Sequence, residues 1–324
     1  MLGSLLGMDD DTRTQVGVVL PTRQDQWGED ADARSLVDFA VRAERLGYHS
    51  VWAGDTLLNP VPEPLTLLSA LAARTERVTL GTAALLPAFR GPVLAARILA
   101  TLDQLCGGRL TLTVGAGFPG RSEVEYALSG TPWRRRFARL DETVCLWRRL
   151  WAADGPVSFQ GEELRVEGVP AGPAPHRVGG PPVWLAGVTP SALDRTGRRY
   201  DGWLPYPPDA AEYAAGLAAV ERAAGEAGRE PGAVTPALFA TVLIIEDGSS
   251  ARSALDAYCR FTYGMPVEVV ETLQVLVAGT PGEVAERLAQ FTAAGARHLV
   301  CRLAALGLDA QRGQLERLAA LLLD

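Results

Sequence analysis

The chain has 324 residues, 48% of them hydrophobic, with a formal net charge of −7 and a pI near 5.2. That length and apolar content suffice for one large core, and an acidic balance with no basic stripe argues against a nucleic-acid partner. No run of about 18 apolar residues suggests a membrane span. Cys106, Cys145, Cys259 and Cys301 show no metal-site spacing and read as buried thiols of a cytoplasmic protein.

The opening MLGSLLGMDDDTR lacks a basic n-region and runs into three aspartates, so it reads as a disordered tail through Gln15 rather than a leader. One domain is expected over 16–324. Val16 to Leu20 reads as a buried strand, Ala31 to Leu46 as an amphipathic helix closed by Gly47, and Ser50 to Ala53 as the second strand. A Pro-rich turn and a helix near Leu65 to Arg74 precede a third strand, Val78 to Leu85. Pro92 opens a helix whose apolar face is expected at Leu94, Ile98, Leu102 and Leu105, ended by Gly107 and Gly108. Leu110 to Val114 is the fourth strand. Trp133 to Trp151 reads as a long helix with Phe137, Leu140, Val144 and Trp147 on one side and arginines on the other. A Gly/Pro-rich connection, Asp154 to Pro182, interrupts the alternation. Strands then resume at Val183 to Ala186, Gly202 to Leu204, Leu238 to Ile245 and His298 to Leu303.

Strands alternating with helical crossovers demand a parallel sheet, and eight of them close most economically as a (β/α)8 barrel. A doubly wound open sheet is the alternative. In a barrel, ligands belong at the carboxyl ends of the strands. Those ends carry Thr22 and Arg23, Asp55 and Thr56, Thr82 to Ala84, Gly115 to Phe118, Gly187 to Thr189, Pro205 and Tyr206, Glu246, and Arg302. Proton-transfer groups are few among them. His49, His176 and His298 fall before strands or in the connection, and no nucleophile elbow, Walker loop or HExxH motif occurs. Such a face suits a cofactor that brings its own chemistry, and no metal site is expected. After the fifth strand, Gly187-Val188-Thr189-Pro190 places a cap and a first-turn proline so that amides could receive a phosphate, or Thr189 simply caps its helix.

The segments AERLGYHSVWAGD, RVTLGTAALLPAFRGPVLAARILATLDQLCGGRL, VGAG, RRFARLDETVCLWRRLW and PPVWLAGVTPSALDRTGRRYDGWLP resemble the bacterial luciferase-like superfamily of flavin- and deazaflavin-dependent oxidoreductases, in order from Val16 to Leu308. The resemblance implies a (β/α)8 barrel with insertion segments that binds reduced FMN or the deazaflavin coenzyme F420. Family members that use the deazaflavin carry Asp-His after the second strand. Here the pair is Asp55-Thr56, which keeps the coenzyme-holding carboxylate but replaces the proton-transfer histidine with a hydroxyl that is no base near neutral pH. Ala83-Ala84 matches a non-prolyl cis peptide behind the flavin ring. Thr82 precedes it, Gly115, Ala116 and Gly117 leave room for the ring or its chain, and Phe118 stands where deazaflavin users are often polar. Gly187, Val188 and Thr189 match the phosphate-side loop.

The leading expectation is a two-component monooxygenase that uses reduced FMN, delivered by a separate flavin reductase, and oxygen on a small organic substrate. Deazaflavin-dependent hydride transfer and a non-catalytic flavin-binding protein are the alternatives. The arginine patch Arg134, Arg135, Arg136 and Arg139 is expected to be a solvated helix face, Trp27, Tyr206 and Arg302 are secondary candidates at the active face, and a homodimer is left open.

Overall fold

The computed structural model describes residues 14–28 and 32–323. The expected tail therefore falls almost wholly outside the described residues, although the first strand already includes Gln15. In chain order, β1 (Gln15–Val19), α1 (Gln24–Trp27), α2 (Ala33–Arg45), β2 (Ser50–Ala53), α3 (Pro64–Ala72) and β3 (Thr79–Leu85) lead to a 3-10 turn at Pro87–Phe89. Next come α4 (Pro92–Leu105), β4 (Leu110–Val114), α5 (Ser122–Leu128), α6 (Arg136–Trp151), β5 (Val157–Gln160) and β6 (Arg165–Val169). The remainder holds β7 (Val183–Leu185), α7 (Pro190–Arg199), β8 (Gly202–Trp203), α8 (Ala210–Glu226), β9 (Thr235–Ile244), α9 (Gly248–Tyr263), α10 (Val267–Val270), β10 (Leu276–Gly279), α11 (Pro281–Ala293), β11 (His298–Leu303) and α12 (Leu308–Leu322).

The main sheet runs β10-β9-β11-β1-β2-β3-β4-β7-β8, and β8 also pairs β9. With β10 set aside, this is the strand order of a (β/α)8 barrel, as expected, and its eight strands are those legible in the sequence. β10 was not foreseen. It extends the edge of β9 that β8 begins, since β8 takes Thr235 and Pro236 whereas β10 takes residues 241–244.

The described residues divide into two compact units, one comprising those up to Trp52 and from Trp184 onward, the other Ala53–Val183. In the first, β1 lies between β11 and β2 in parallel register, Gly17 opposite both Ser50 and Val300. A Cβ at Gly17 would overlap the Ser50 hydroxyl and press on the Trp52 indole, so close approach requires glycine there. Trp52 packs on Trp184 with ring centroids 5.3 Å apart, and the His298 ring stands edge-on to both. Ser50 Oγ accepts from Trp52 Nε1 at 2.7 Å and lies 2.7 Å from His298 Nε2. Burial pushes the His298 imidazole down to about 3, with His49 adding to the effect, so this ring stays neutral inside the core.

In the second unit, α4 and α6 are tied by two indoles, Trp147 Nε1 donating to Pro92 O at 2.9 Å and Trp151 Nε1 to Ala96 O at 3.0 Å. The apolar face of α4 differs from expectation. Ala95, Ala96, Leu99 and Leu102 are buried, whereas Leu94 and Leu105 are about three-fifths exposed, at 61% and 60%. A face built on alanines lets α6 approach closely enough for its indoles to reach α4 carbonyls, and the larger leucines at the margins stay outside. The long helix begins at Arg136 rather than Trp133, with Arg135 in the left-handed region (φ 61°) ahead of it, and its Phe137 is exposed. Cys145 is exposed, unlike the other three cysteines, and all four are free thiols.

The connection expected to be irregular contains the antiparallel hairpin β5–β6. Glu142 of α6 holds its turn by accepting three successive amides, Glu162 N at 2.8 Å, Glu163 N at 2.9 Å and Leu164 N at 2.8 Å. Two arginines of the patch, Arg135 and Arg139, serve the same hairpin rather than facing only solvent. Arg135 pairs with Glu162 and Glu163, Arg139 donates to Glu163 O at 3.2 Å, and Arg136 lies 3.7 Å from the centroid of the Trp133 ring. No helix among the described residues is long and apolar enough to cross a membrane.

Candidate functional site

Where β2 ends, the chain enters a loop that carries Gly54, Asp55 and Thr56. Asp55 has a side chain only 3% exposed, and its carboxylate is fully engaged. Arg90 donates to it through Nη1 at 2.6 Å and Nη2 at 3.2 Å, and the Leu86 amide adds a third bond at 3.0 Å. Burial pushes the Asp55 carboxyl above its ordinary range against the pull of Arg90 and of these hydrogen bonds. Arg90 also pairs with Glu63, the residue that caps α3, so one guanidinium links the loop after β2, the start of α3 and the end of β3. A bidentate pair this dry fixes geometry. It makes Asp55 the anchor of the loop that presents Thr56.

Thr56 is half-buried, and its hydroxyl donates to Glu125 Oε1 at 2.6 Å. The same Oε1 accepts the Leu57 amide at 2.9 Å, and the Leu58 amide donates to Thr56 Oγ1 at 3.2 Å. Glu125 lies on α5 and is 3% exposed.

Beside this loop, β3 carries the expected cis peptide between Ala83 and Ala84, where its register with β4 shifts between Thr82 and Leu85. A Cβ at Gly54 would come 3.7 Å from Ala83 O, and one at Gly115 would come 3.6 Å from Ala84 Cβ. Gly54, Ala83, Ala84 and Gly115 thus adjoin one another, all half-buried, with no atom beyond Cβ on any of them. No larger side chain fills the space beside either glycine of this surface, since a Cβ built there would meet one atom at ordinary contact distance. Thr82 is turned away from it, fully buried, with its hydroxyl donating to Thr113 O at 2.9 Å. Gly117 answers to its own turn. It has φ 77°, and a Cβ there would collide with Ser122, whose hydroxyl accepts the Phe118 amide at 3.0 Å. Phe118 is 58% exposed. Ala116 is buried, and its carbonyl accepts the Tyr126 phenol at 3.1 Å.

In the other unit, Gly187 (φ 127°) accepts the Trp203 indole at 2.9 Å through its carbonyl, Val188 is exposed, and Thr189 caps α7 by accepting the Ala192 amide. The cap therefore uses one of the amides expected to face a phosphate. Arg302 on β11 donates to the Tyr263 phenol at 3.1 Å and lies 4.8 Å from the Phe239 ring centroid. Burial opposes ionisation of Tyr263, but the Arg302 charge and the polar groups around the phenol outweigh it and lower its pKa. Burial pushes Tyr206 up to about 12. Among the described residues, no cluster of three or more His, Cys, Asp or Glu could hold a metal ion.

The structure thus brings together Asp55, Ala83, Ala84 and Gly115, with Thr56 attached through its loop. Glu125, Arg90, Glu63 and Tyr263 were not singled out in the sequence. Arg90 lies inside the quoted LLPAFRGP stretch, and a lone arginine in so apolar a run is a signal that a buried acid awaits it. Glu125 had no such signal, since its partner is 69 residues away.

Residues 14–298 match the family described as luciferase-like monooxygenase. The chain is 38% identical over 186 residues to an F420-dependent glucose-6-phosphate dehydrogenase of Intrasporangium calvum, covering 53% of each protein, so it spans about half the length of that curated relative. It is 30% identical over 246 residues to the phthiodiolone/phenolphthiodiolone dimycocerosates ketoreductase of Mycobacterium kansasii, covering 67% of this chain and 65% of the relative. Among solved structures it resembles the monooxygenase RslO1 from Streptomyces bottropensis, with a TM-score of 0.79 and 25% identity over 95% of this chain and 98% of that one.

Proposed function

Because the chain belongs to the luciferase-like monooxygenase family, we propose that it is an oxidoreductase that uses the deazaflavin coenzyme F420 to interconvert an alcohol and a carbonyl compound. The observation that carries this is the 38% identity to a dehydrogenase that uses that coenzyme, together with the ketoreductase match. It reverses the order of the expectations, which put reduced FMN and oxygen first. The site residues suit either ring system, since Gly54, Ala83, Ala84 and Gly115 leave a surface on which a flat tricycle can lie. When bound, the deazaflavin supplies a two-electron hydride acceptor or donor that does not activate oxygen. The chain supplies the seat. Ala83 and Ala84 would support the ring, the Asp55–Arg90–Glu63 linkage holds the loop bearing Thr56, and Thr56 would supply hydrogen bonding to the substrate.

The monooxygenase reading stays as the second one, because the 25% identity to RslO1 extends over 95% of the chain. A separate flavin reductase as partner belongs to that reading alone. Fluorescence titration of the protein with F420 and FMN, each oxidised and reduced, separates the two. Tighter binding of F420 than of FMN by about tenfold or more, equivalent to about 1.4 kcal/mol, is expected. Preference for reduced FMN, with substrate-dependent oxygen uptake, would restore the monooxygenase.

A further inference from the structure

All 31 basic residues of the chain are arginines, which stay protonated and cannot accept a proton. Of the three histidines, His298 is buried at the start of β11, His49 accepts the Val16 amide through Nδ1, and His176 lies in the connection after the hairpin. Proton acceptors near the small-residue surface are therefore carboxylates or phenols. Asp55 is occupied by Arg90 and the Leu86 amide, and burial holds the Tyr126 phenol up at about 12 against the charges of Arg136 and Arg139. Glu125 is the buried carboxylate that Thr56 itself contacts.

Its link to Thr56 has a defined direction. A threonine hydroxyl carries one proton and two acceptor lone pairs. The proton goes to Glu125 Oε1 at 2.6 Å, and one lone pair takes the Leu58 amide at 3.2 Å. Thr56 is left with one acceptor position. An oxygen so arranged receives a hydrogen bond from an alcohol and has none to give a ketone.

We propose that Thr56 and Glu125 form a proton relay for alcohol oxidation, Thr56 touching the substrate hydroxyl and Glu125 acting through it as positioning residue and final acceptor. This rests on the deazaflavin reading above. As the alcohol O–H bond breaks, its proton passes to Thr56 Oγ1 and the proton already on Thr56 passes to Glu125 Oε1. The carbinol C–H bond breaks with its electron pair, which leaves as hydride to an oxidised deazaflavin, and the C–O bond becomes a carbonyl. One alcohol and one oxidised deazaflavin thus yield one carbonyl compound, one reduced deazaflavin and one proton held on Glu125.

The test uses the full chain and the variants Thr56→Val, Thr56→Ser, Glu125→Gln and the double variant Thr56→Val/Glu125→Gln. Infrared spectra of the ligand-free proteins identify the Glu125 carboxyl band as the one lost in Glu125→Gln. Thr56→Val shifts it and Thr56→Ser returns it, and a band indifferent to both overturns the pair. Oxidised F420 is then bound, and its single-turnover reduction is followed with propan-2-ol, cyclohexanol and glucose 6-phosphate. Thr56→Val and Glu125→Gln each slow reduction by about 100-fold or more, in line with a lost acid–base group. Thr56→Ser restores most of that rate, the double variant is no slower than either single one, and F420 affinity is unchanged throughout. Full-rate reduction in Thr56→Val, or bound F420 that none of the three alcohols reduces, overturns the relay. Failure to bind F420 overturns the deazaflavin reading instead, and the infrared result then judges the pair alone.

Discussion

The early part of β2 and the late part of β3 obey opposite packing rules. Around Ser50 and Trp52, in the unit that also holds β1 and β11, two indoles and an imidazole fill the space, and a glycine at 17 is the concession that admits them. Around Ala83 and Ala84, in the other unit, Gly54 and Gly115 bring no side chain at all, and a Cβ on either would meet only Ala83 O or Ala84 Cβ within 4 Å. The first region converts apolar area and ring contacts into stability. The second forgoes both, and surface kept clear in this way is surface kept for a ligand.

Substitutions should separate the two. The largest effect is expected from Trp52→Ala, which removes a fully buried indole and both its ring contacts. A loss of about 3 to 5 kcal/mol in denaturant unfolding follows for a truncated core aromatic. Gly115→Leu should reverse the pattern. Its new Cβ meets only Ala84 at ordinary contact distance, so stability changes by about 1 kcal/mol or less, while coenzyme affinity falls by about tenfold or more as the side chain covers the surface. Measuring unfolding and fluorescence titration on the same preparation tells the two effects apart. The remaining effect is a slope, absent near neutral pH and growing only as acid is added. His298 titrates at about 3 in the fold against 6.5 when exposed, so below 6.5 the unfolded chain binds more protons and stability falls as pH drops towards 3. The loss approaches about 1.4 kcal/mol per pH unit, and His298→Asn should flatten it. A slope unchanged in that variant assigns the acid sensitivity to other groups.

The same contrast marks what was legible in the sequence. Strands of the barrel announce themselves because each is a short apolar run bounded by glycine or a helix cap, and Val183 to Leu185 or His298 to Leu303 need no partner to be recognised. The cis peptide came through the resemblance. The face of α4 was misjudged because leucine spacing was given more weight than the alanines, yet the alanines are what allow Trp147 and Trp151 to reach across. β10 was missed because four residues with only two buried leave almost no pattern. Asp55 and Thr56 were found as types, but their partners Arg90 and Glu125 are 35 and 69 residues away and are chosen only by the fold.

Glu142 has a consequence of another kind. One carboxylate on α6 receives three of the four amides of the β5–β6 turn, and the turn's own Gly161 leaves room for it. The hairpin is thereby fastened at its tip through main-chain atoms, with Gly161 the one side-chain requirement of the turn. Its strand residues can then be changed without loosening the attachment, which makes this insertion an exchangeable cassette on a single clasp, and a place where new specificity can be grafted while α6 remains untouched.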